Sequence, residues 1–256
     1  MYDTAKLMSD KLFTLLLEIL PTPRQLKHGR KRVPKESLLS GILQVLVNGV
    51  AWNKIADCGC SYSACYTYFR EIQRRGLLHL VFEELTLEKT DVGECASDTT
   101  TVTSFRFGDM TGWDGKHKKC GTKISLISDI KGLPADVEFG KGNIHDLRFI
   151  PKHIKNTAGR RKKTLNLDKG YTSKDLRREL RNKGIKVNME TRTHDYTAKR
   201  GPKFGFDEEK YKVRFQIERL NGWIKAFKRL RTRVEYKACM FKAFVYLALI
   251  VVLMRN

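Results

Sequence analysis

Apolar residues recur at helical spacing through the first part of the chain, and from about Glu94 onward the period drops to two. Leu12 to Leu20 (LFTLLLEIL) predicts a helix stopped by Pro21 and Pro23. Pro34 suits a helical first turn, and Leu38, Leu39, Ile42, Leu43 and Leu46 continue from it at helical spacing. Trp52 begins a turn, and Ser61 is placed to cap a helix running to Arg75. On that helix Tyr62, Tyr66 and Phe69 form one stripe, and Arg70, Arg74 and Arg75 gather at its end. A short helix, a turn and a second, basic helix is the order of a helix-turn-helix DNA reader, with these three arginines as candidate DNA contacts. A small helical bundle with a solvated basic face has the same pattern.

Beyond Glu94 the chain predicts strands at Ala96–Thr103, Lys123–Ser128, Ala135–Phe139, Thr164–Asp168 and Ile185–Met189. The turn Asp-Ile-Lys-Gly-Leu-Pro joins the second and third of these into a hairpin. Helices are expected over His145–Ile154 and Ser173–Asn182, and a long basic helix after Asp207, beyond a polar loop at Thr191–Phe206. Three strands, helix, strand, helix, strand, helix pack most naturally as an α/β domain with a mixed sheet. The expected division is therefore a helical DNA-binding domain over residues 1–90 and a catalytic α/β domain over 91–256.

Charge narrows the partner. Fifty Lys and Arg stand against 28 Asp and Glu, a net charge of +22 in 256 residues. So large an excess repels itself unless a polyanion neutralises it, and nucleic acid is the commonest such partner. The run Lys27–Lys35 (KHGRKRVPK) concentrates that charge. The six cysteines, with no apolar stretch in MYDTAKLMSDK to serve as a signal peptide, read as reduced thiols of a cytoplasmic protein. Cys58, Cys60 and Cys65 have no histidine at zinc-finger spacing and no CxxC partner, so free thiols are expected there. The uncharged run Ala243–Met254 is too short to cross a bilayer and predicts a buried core helix, not a membrane partner.

Phosphodiester chemistry without a covalent enzyme intermediate usually needs hard divalent cations held by converging carboxylates. Asp98 lies inside a threonine-rich strand, where a purely structural strand avoids Asp. Asp168 ends another strand before Lys-Gly-Tyr, and carboxyl ends of strands are where α/β sheets build their sites. Glu218 lies on the long basic helix. Taken singly, a turn Asp, an N-cap and a surface Glu account for each. On that helix Tyr211, Arg214, Glu218 and Lys225 stand at i, i+3, i+7 and i+14, within about 60° of one another, and basic residues continue at Lys228, Arg229, Arg231 and Arg233. Ile217, Leu220, Ile224 and Phe227 fall largely off this face and are expected to bury. Asp146, in NIHD, is expected to cap a helix, and His117, His145 and His194 take no role.

The spacing Y-x2-R-x3-E-x6-K resembles the signature of DDE insertion-sequence transposases, in the group of insertion-sequence families four and five. The texts DTTTV, HKKCGTK, NIHD, LNLDKGY and GVAW resemble further blocks of the family-five pattern. The resemblance implies an RNase H-like catalytic fold behind the helix-turn-helix-like domain. It also implies two Mg²⁺ ions, for which Mn²⁺ substitutes, on Asp98, Asp168 and Glu218. Tyr211, Arg214 and Lys225 would contact the element's end. Implied partners are double-stranded DNA, as element ends and target, and a second copy in a homodimer on DNA; the implied place is the cytoplasm, on the nucleoid. The segment between Asp168 and Glu218 leaves no room for the large β-rich insertion that some relatives carry. Two other functions stay open: an RNase H-like nuclease or junction resolvase, and a catalytically silent, transposase-derived DNA-binding regulator.

Overall fold

The computed structural model describes residues 9–23, 31–160, 163–190 and 205–255. Residues 27–30 of the basic run, and most of the loop from Thr191 with His194, lie outside the described residues. The chain forms two compact units, Met1–Leu85 with Val102–Thr111 and Trp223–Asn256, and Thr86–Thr101 with Gly112–Gly222. These units do not follow a single cut near residue 90, because the C-terminal segment clusters with the N-terminal helices.

In the first unit lie α1 (Asp10–Ile19), α2 (Lys35–Asn48), α3 (Tyr62–Arg74), most of α4 (Leu77–Lys89) and α9 (Ala238–Arg255). Ser9 and Ser61 cap α1 and α3, their hydroxyls accepting from Leu12 N and Ala64 N, each at 3.3 Å. α2 ends at Gly49, whose φ of 69° is the left-handed conformation that glycine supplies at helix ends. α9 is apolar around its whole circumference, which demands cover on every side, and it packs on α1 and α3. Phe69 of α3 stacks on Phe244 of α9 with ring centres 4.4 Å apart, and Trp52 packs on both rings. At 18 residues this helix is longer than the apolar run suggested and meets the length for a bilayer. Its burial, 72% of that window, is what marks it as a core helix.

The basic continuation expected through Arg233 is not helical. Phe227 leaves the helix with ψ of 111°, and a 3-10 turn (Lys228–Leu230) and β7 (Thr232–Arg233) follow. Arg229 and Arg233 are buried instead of facing solvent. The Arg229 Nε donates to Glu235 Oε1 at 2.6 Å. Arg233 donates to Asp109 Oδ1 at 3.0 Å and to the carbonyls of Glu235 and Tyr236 at 2.9 and 2.8 Å.

The second unit is a mixed sheet with helices. Its strands are β1 (Glu94–Ser104), β2 (Gly112–Asp114), β3 (Lys119–Asp129), β4 (Pro134–Lys141), β5 (Thr164–Asn166) and β6 (Lys186–Asn188), and its helices include α5 (Ile150–Asn156) and α6 (Lys174–Asn182). The order is β2-β3-β1-β5-β6, with β4 also on β3. β1, β5 and β6 are parallel, Cys95 opposite Leu165 and Leu165 opposite Val187, while β2 and β4 run antiparallel to β3. β1 continues into the first unit, where Thr103 and Ser104 pair with β7. One core joins Cys95, Ile127 and Leu165 of the sheet to Ile150 and Ile154 of α5 and Leu176 and Leu180 of α6. The parallel pair β1–β5 carries one candidate aspartate and leads directly to the other.

Candidate active site

Asp98 sits midway along β1. Burial pushes its carboxyl above the ordinary carboxylate range. Asp146 and Asp168 push the same way, while the Thr99 amide and Arg214 hold it down. Asn221 Nδ2 donates to Asp98 Oδ2 at 2.9 Å. Sequence reasoning missed Asn221; its signal was a position one turn after Glu218, next to the acid's own stripe.

Asp168 stands just past β5 and caps the 3-10 turn Lys169–Tyr171, its Oδ1 accepting from Lys169 N at 2.8 Å. That turn buries Tyr171, whose hydroxyl lies 3.0 Å from Thr99 Oγ1, beside Asp98. Burial pushes the phenol up, so it stays protonated and available as a donor.

The segment that leads to the helix bearing Glu218 is tied to these strands by an asparagine ladder. Asn166 Nδ2 donates to Cys95 O at 3.2 Å, and Asn188 Nδ2 donates to Asn166 Oδ1 at 2.7 Å. Asn188 then takes both backbone groups of Asp207, donating to its carbonyl at 2.8 Å and accepting from its amide at 2.9 Å. Asp207 caps the next helix, accepting from Lys210 N at 3.1 Å. The expected single helix is in fact two: α7 (Glu208–Tyr211) and α8 (Arg214–Ala226), broken at Lys212 and Val213. Tyr211 therefore does not share a helix with Glu218. It still meets Arg214, whose guanidinium carbon lies 5.6 Å from the ring centre.

Arg214 gathers the acids. Its Nη1 lies 3.3 Å from Asp168 Oδ1, and its Nη2 donates to Glu218 Oε1 at 3.1 Å. Burial works against its charge, yet Tyr211, Asp168, Asp98 and Glu218 carry the net shift upward. Arg214, Glu218 and Lys225 share α8, with Lys225 exposed near its end. Ile217, Leu220, Ile224 and Phe227 are buried, as their spacing predicts.

Asp146 is not the cap it was expected to be. His145 takes that place, its Nδ1 accepting from Leu147 N at 3.2 Å, because NIHD turns into a 3-10 segment one residue earlier. Asp146 instead pairs with the buried Lys123 Nζ at 2.7 Å and acts on Asp98 electrostatically. His117 is held by Asp114 at 2.9 Å. Behind β1 runs a polar chain that sequence reasoning did not find: Asp136 Oδ2 to His153 Nδ1 at 2.6 Å, His153 Nε2 to Ser125 Oγ at 2.9 Å, and Thr99 Oγ1 to Ser125 at 3.1 Å. His153 is fully buried between Asp136 and Ser125, so this histidine is a structural anchor for the strand that carries Asp98.

On α3, Arg70, Arg74 and Arg75 line one open groove with Thr67 and Glu71. Arg70 lies 5.8 Å over Tyr66, and Arg75 pairs with Glu71 at 3.9 Å. The aromatic stripe is split: Phe69 is buried, whereas Tyr62 and Tyr66 are exposed beside the arginines.

Asp98, Asp168 and Glu218 offer only oxygen donors, the set a hard divalent cation requires. Asp98 feels the charge of Asp168, and a guanidinium already bridges Asp168 and Glu218. The chemistry fits a cation. The grouping is looser than a closed ligand set: among the described residues, only Cys58, Cys60 and Cys65 bring three ligand atoms within 4.8 Å of one another.

Comparison with known proteins agrees with this architecture. Residues 95–253 match the profile of the transposase DDE domain, and residues 8–82 match a profile described for transposases of the IS4/5 family. The protein named as the transposase for insertion sequence element IS402 of Burkholderia cepacia is 29% identical over 136 residues, 50% of this chain and 60% of that relative. The chain thus spans less than two thirds of that relative's length. A 16.2 kDa protein of the same element is 29% identical over 116 residues, 41% of this chain and 79% of its own. The piggyBac transposase, solved as a synaptic complex with hairpin DNA, superposes with a TM-score of 0.51 over 98% of this chain and 74% of its own, at 10% identity. That likeness concerns the fold, which is RNase H-like. DDE transposases as a family use divalent metal ions. By the match across most of its length, this chain belongs to the DDE-domain transposases, in the IS4/5 group.

Proposed function

We propose that this chain is a DNA transposase that cuts the ends of its insertion element and joins them to target DNA. The observation that carries the reading is the gathering of Asp168 and Glu218 on Arg214, beside a buried Asp98 that feels Asp168. Asp98, Asp168 and Glu218 are the metal ligands in this reading, for two Mg²⁺ ions with Mn²⁺ as a substitute. Held by these residues, the cations would supply activation of an attacking oxygen and stabilisation of the leaving oxygen at phosphorus.

The chain's own residues do the rest. Asn221 fixes one oxygen of Asp98 and so orients its carboxylate. Arg214, whose fork of donors suits a phosphate as well as a carboxylate, would bind the DNA backbone in place of its solvent-open acids. Tyr211 supports that guanidinium through its ring face. Lys225 offers a mobile charge farther along α8. Arg70, Arg74 and Arg75, on the exposed end of α3, grip the element's end. The protein works as a homodimer on double-stranded DNA, on the nucleoid in the cytoplasm.

The test uses purified protein, Mg²⁺ and two duplexes: one carrying the DNA that flanks the gene, the other the same end already cut. The proposal expects cleavage at the end of the first and joining of the second to target DNA. Hydrolysis without joining makes the protein a nuclease. Binding without cleavage makes it a regulator.

A further inference from the structure

The cysteine cluster of the first unit has a geometry that free thiols do not require. Cys58 and Cys60 lie on the loop before α3, and Cys65 lies on α3 itself. Their sulfurs stand 3.7 Å (Cys58 to Cys60) and 3.3 Å (Cys60 to Cys65) apart, and all three fall within 4.8 Å of one another. A disulfide needs about 2.0 Å, so none is formed. Thiolates sharing one ion at about 2.3 Å from it sit about 3.8 Å apart at the edge of a tetrahedron; the Cys58–Cys60 separation of 3.7 Å matches that edge, and the Cys60–Cys65 separation of 3.3 Å is shorter.

The surroundings are shaped for this convergence. Asp57, a non-glycine residue, is held at φ 51°, and Gly59 at φ 73°, so two left-handed residues wind the loop around Cys58. On the neighbouring α2, a Cβ at Gly41 would come 2.5 Å from Cys65 Sγ, so the helix leaves a gap at the place the sulfur fills. Cys58 and Cys65 are buried, whereas Cys60 is partly exposed. Through Cys60 the cluster therefore has a path from solvent.

We propose that Cys58, Cys60 and Cys65 form a trithiolate site for a thiophilic d¹⁰ metal ion. Sulfur-only donors select soft ions such as Cu(I), or Zn(II) with a solvent molecule as fourth ligand, over the hard cations suited to carboxylates. On binding, each thiol releases its proton to solvent and the sulfur lone pair enters the metal–sulfur bond; no electron is transferred. The bound ion ties the loop to α3 and stabilises the unit by mass action. The inference is independent of the DNA chemistry proposed above.

The test titrates the reduced, metal-free full chain with Cd(II), whose thiolate complexes absorb in the ultraviolet by charge transfer, and then competes with Zn(II) and Cu(I). The expected result is a band saturating at one equivalent, displaced by both ions, with Cys60, the partly exposed thiol of the cluster, losing reactivity toward a disulfide reagent in the native protein. Cys60→Ser, at the partly exposed position, should weaken Cd(II) binding about 100-fold or more, while Cys120→Ser and Cys239→Ser retain it. Melting should shift upward with metal in the wild type and not in Cys60→Ser, whose melt without metal reports that it is folded. The absence of a saturable band, or a band that survives Cys60→Ser unchanged, overturns the proposal.

Discussion

Arg214 and Arg229 are both arginines held by carboxylates, and the two pairings have opposite consequences. The Arg229 side chain and its partner Glu235 are 7% and 6% exposed, closed off from water at 2.6 Å. The Arg214 side chain is 13% exposed, but its partners Asp168 and Glu218 are 37% and 58% exposed. A buried pair cannot lose one member without stranding the other's charge, so Arg229 is committed to the fold. The partners of Arg214 can be taken over by solvent, a cation or a phosphate, so its grip is exchangeable. A count of basic residues does not separate the two cases; the exposure of the partner acid does.

Removing the committed arginine should give the largest effect. Arg229→Ala is expected to destabilise the protein by about 3–5 kcal/mol, because Glu235 is left buried and unpaired. Denaturant melts measure this, and a loss under about 1 kcal/mol would place Arg229 with the exchangeable charges. Asp168→Ala comes next, with end cleavage expected to fall by about 10²–10³-fold or more while DNA affinity stays near wild type. A single-turnover cleavage assay beside a binding titration checks both halves.

Asp98→Asn should separate stability from activity. The fold raises the Asp98 pKa, chiefly by burial, so it favours the protonated acid. That contribution is fully present below the unfolded carboxylate pKa of about 3.9 and is lost as pH rises through the folded value. In metal-free buffer near neutral pH the substitution is therefore expected to stabilise by about 0.5–2 kcal/mol while cleavage is lost. The advantage should shrink in acid, and melts across pH would reveal a gain of the wrong sign. Arg214→Ala gives a smaller change in stability than Arg229→Ala, about 1 kcal/mol or less, since the acids it pairs with, Asp168 and Glu218, are open to solvent. Its effect should appear instead as cuts displaced from the correct position on a mapped duplex, and accurate, wild-type-rate cutting would remove Arg214 from the DNA-positioning role.

The strands that carry the aspartates were legible because β-branched alternation and turn residues are local signals. β1, the β3–β4 hairpin and the Ser173 cap of α6 all stand where the pattern puts them. The acids were legible as chemistry out of place, Asp98 among threonines above all. The supporting shell was not. Asn166 and Asn188 read as ordinary strand-end polars, and only the pairing of β5 with β6 turns them into the ladder that fixes Asp207. His153 looks like part of an amphipathic turn until Asp136 and Ser125 arrive from the neighbouring strands. The break at Lys212 and the turn at Phe227 were hidden for a related reason. Helical periodicity continues through both positions, and long-range pairing, such as that of Arg233 with Asp109, decides where the helix stops.

The central claim is that Asp98, Asp168 and Glu218 ligate the catalytic cations, and replacing an oxygen ligand by sulfur tests ligation itself. Asp98→Cys, Asp168→Cys and Glu218→Cys would be assayed for end cleavage in Mg²⁺ and in Mn²⁺, which accepts sulfur more readily than Mg²⁺ does. The account predicts loss of cleavage in Mg²⁺ for each variant and recovery in Mn²⁺ for at least one, against a wild type active in both. Undiminished cleavage by these variants in Mg²⁺, or no recovery in Mn²⁺ at any of the three positions, would contradict it.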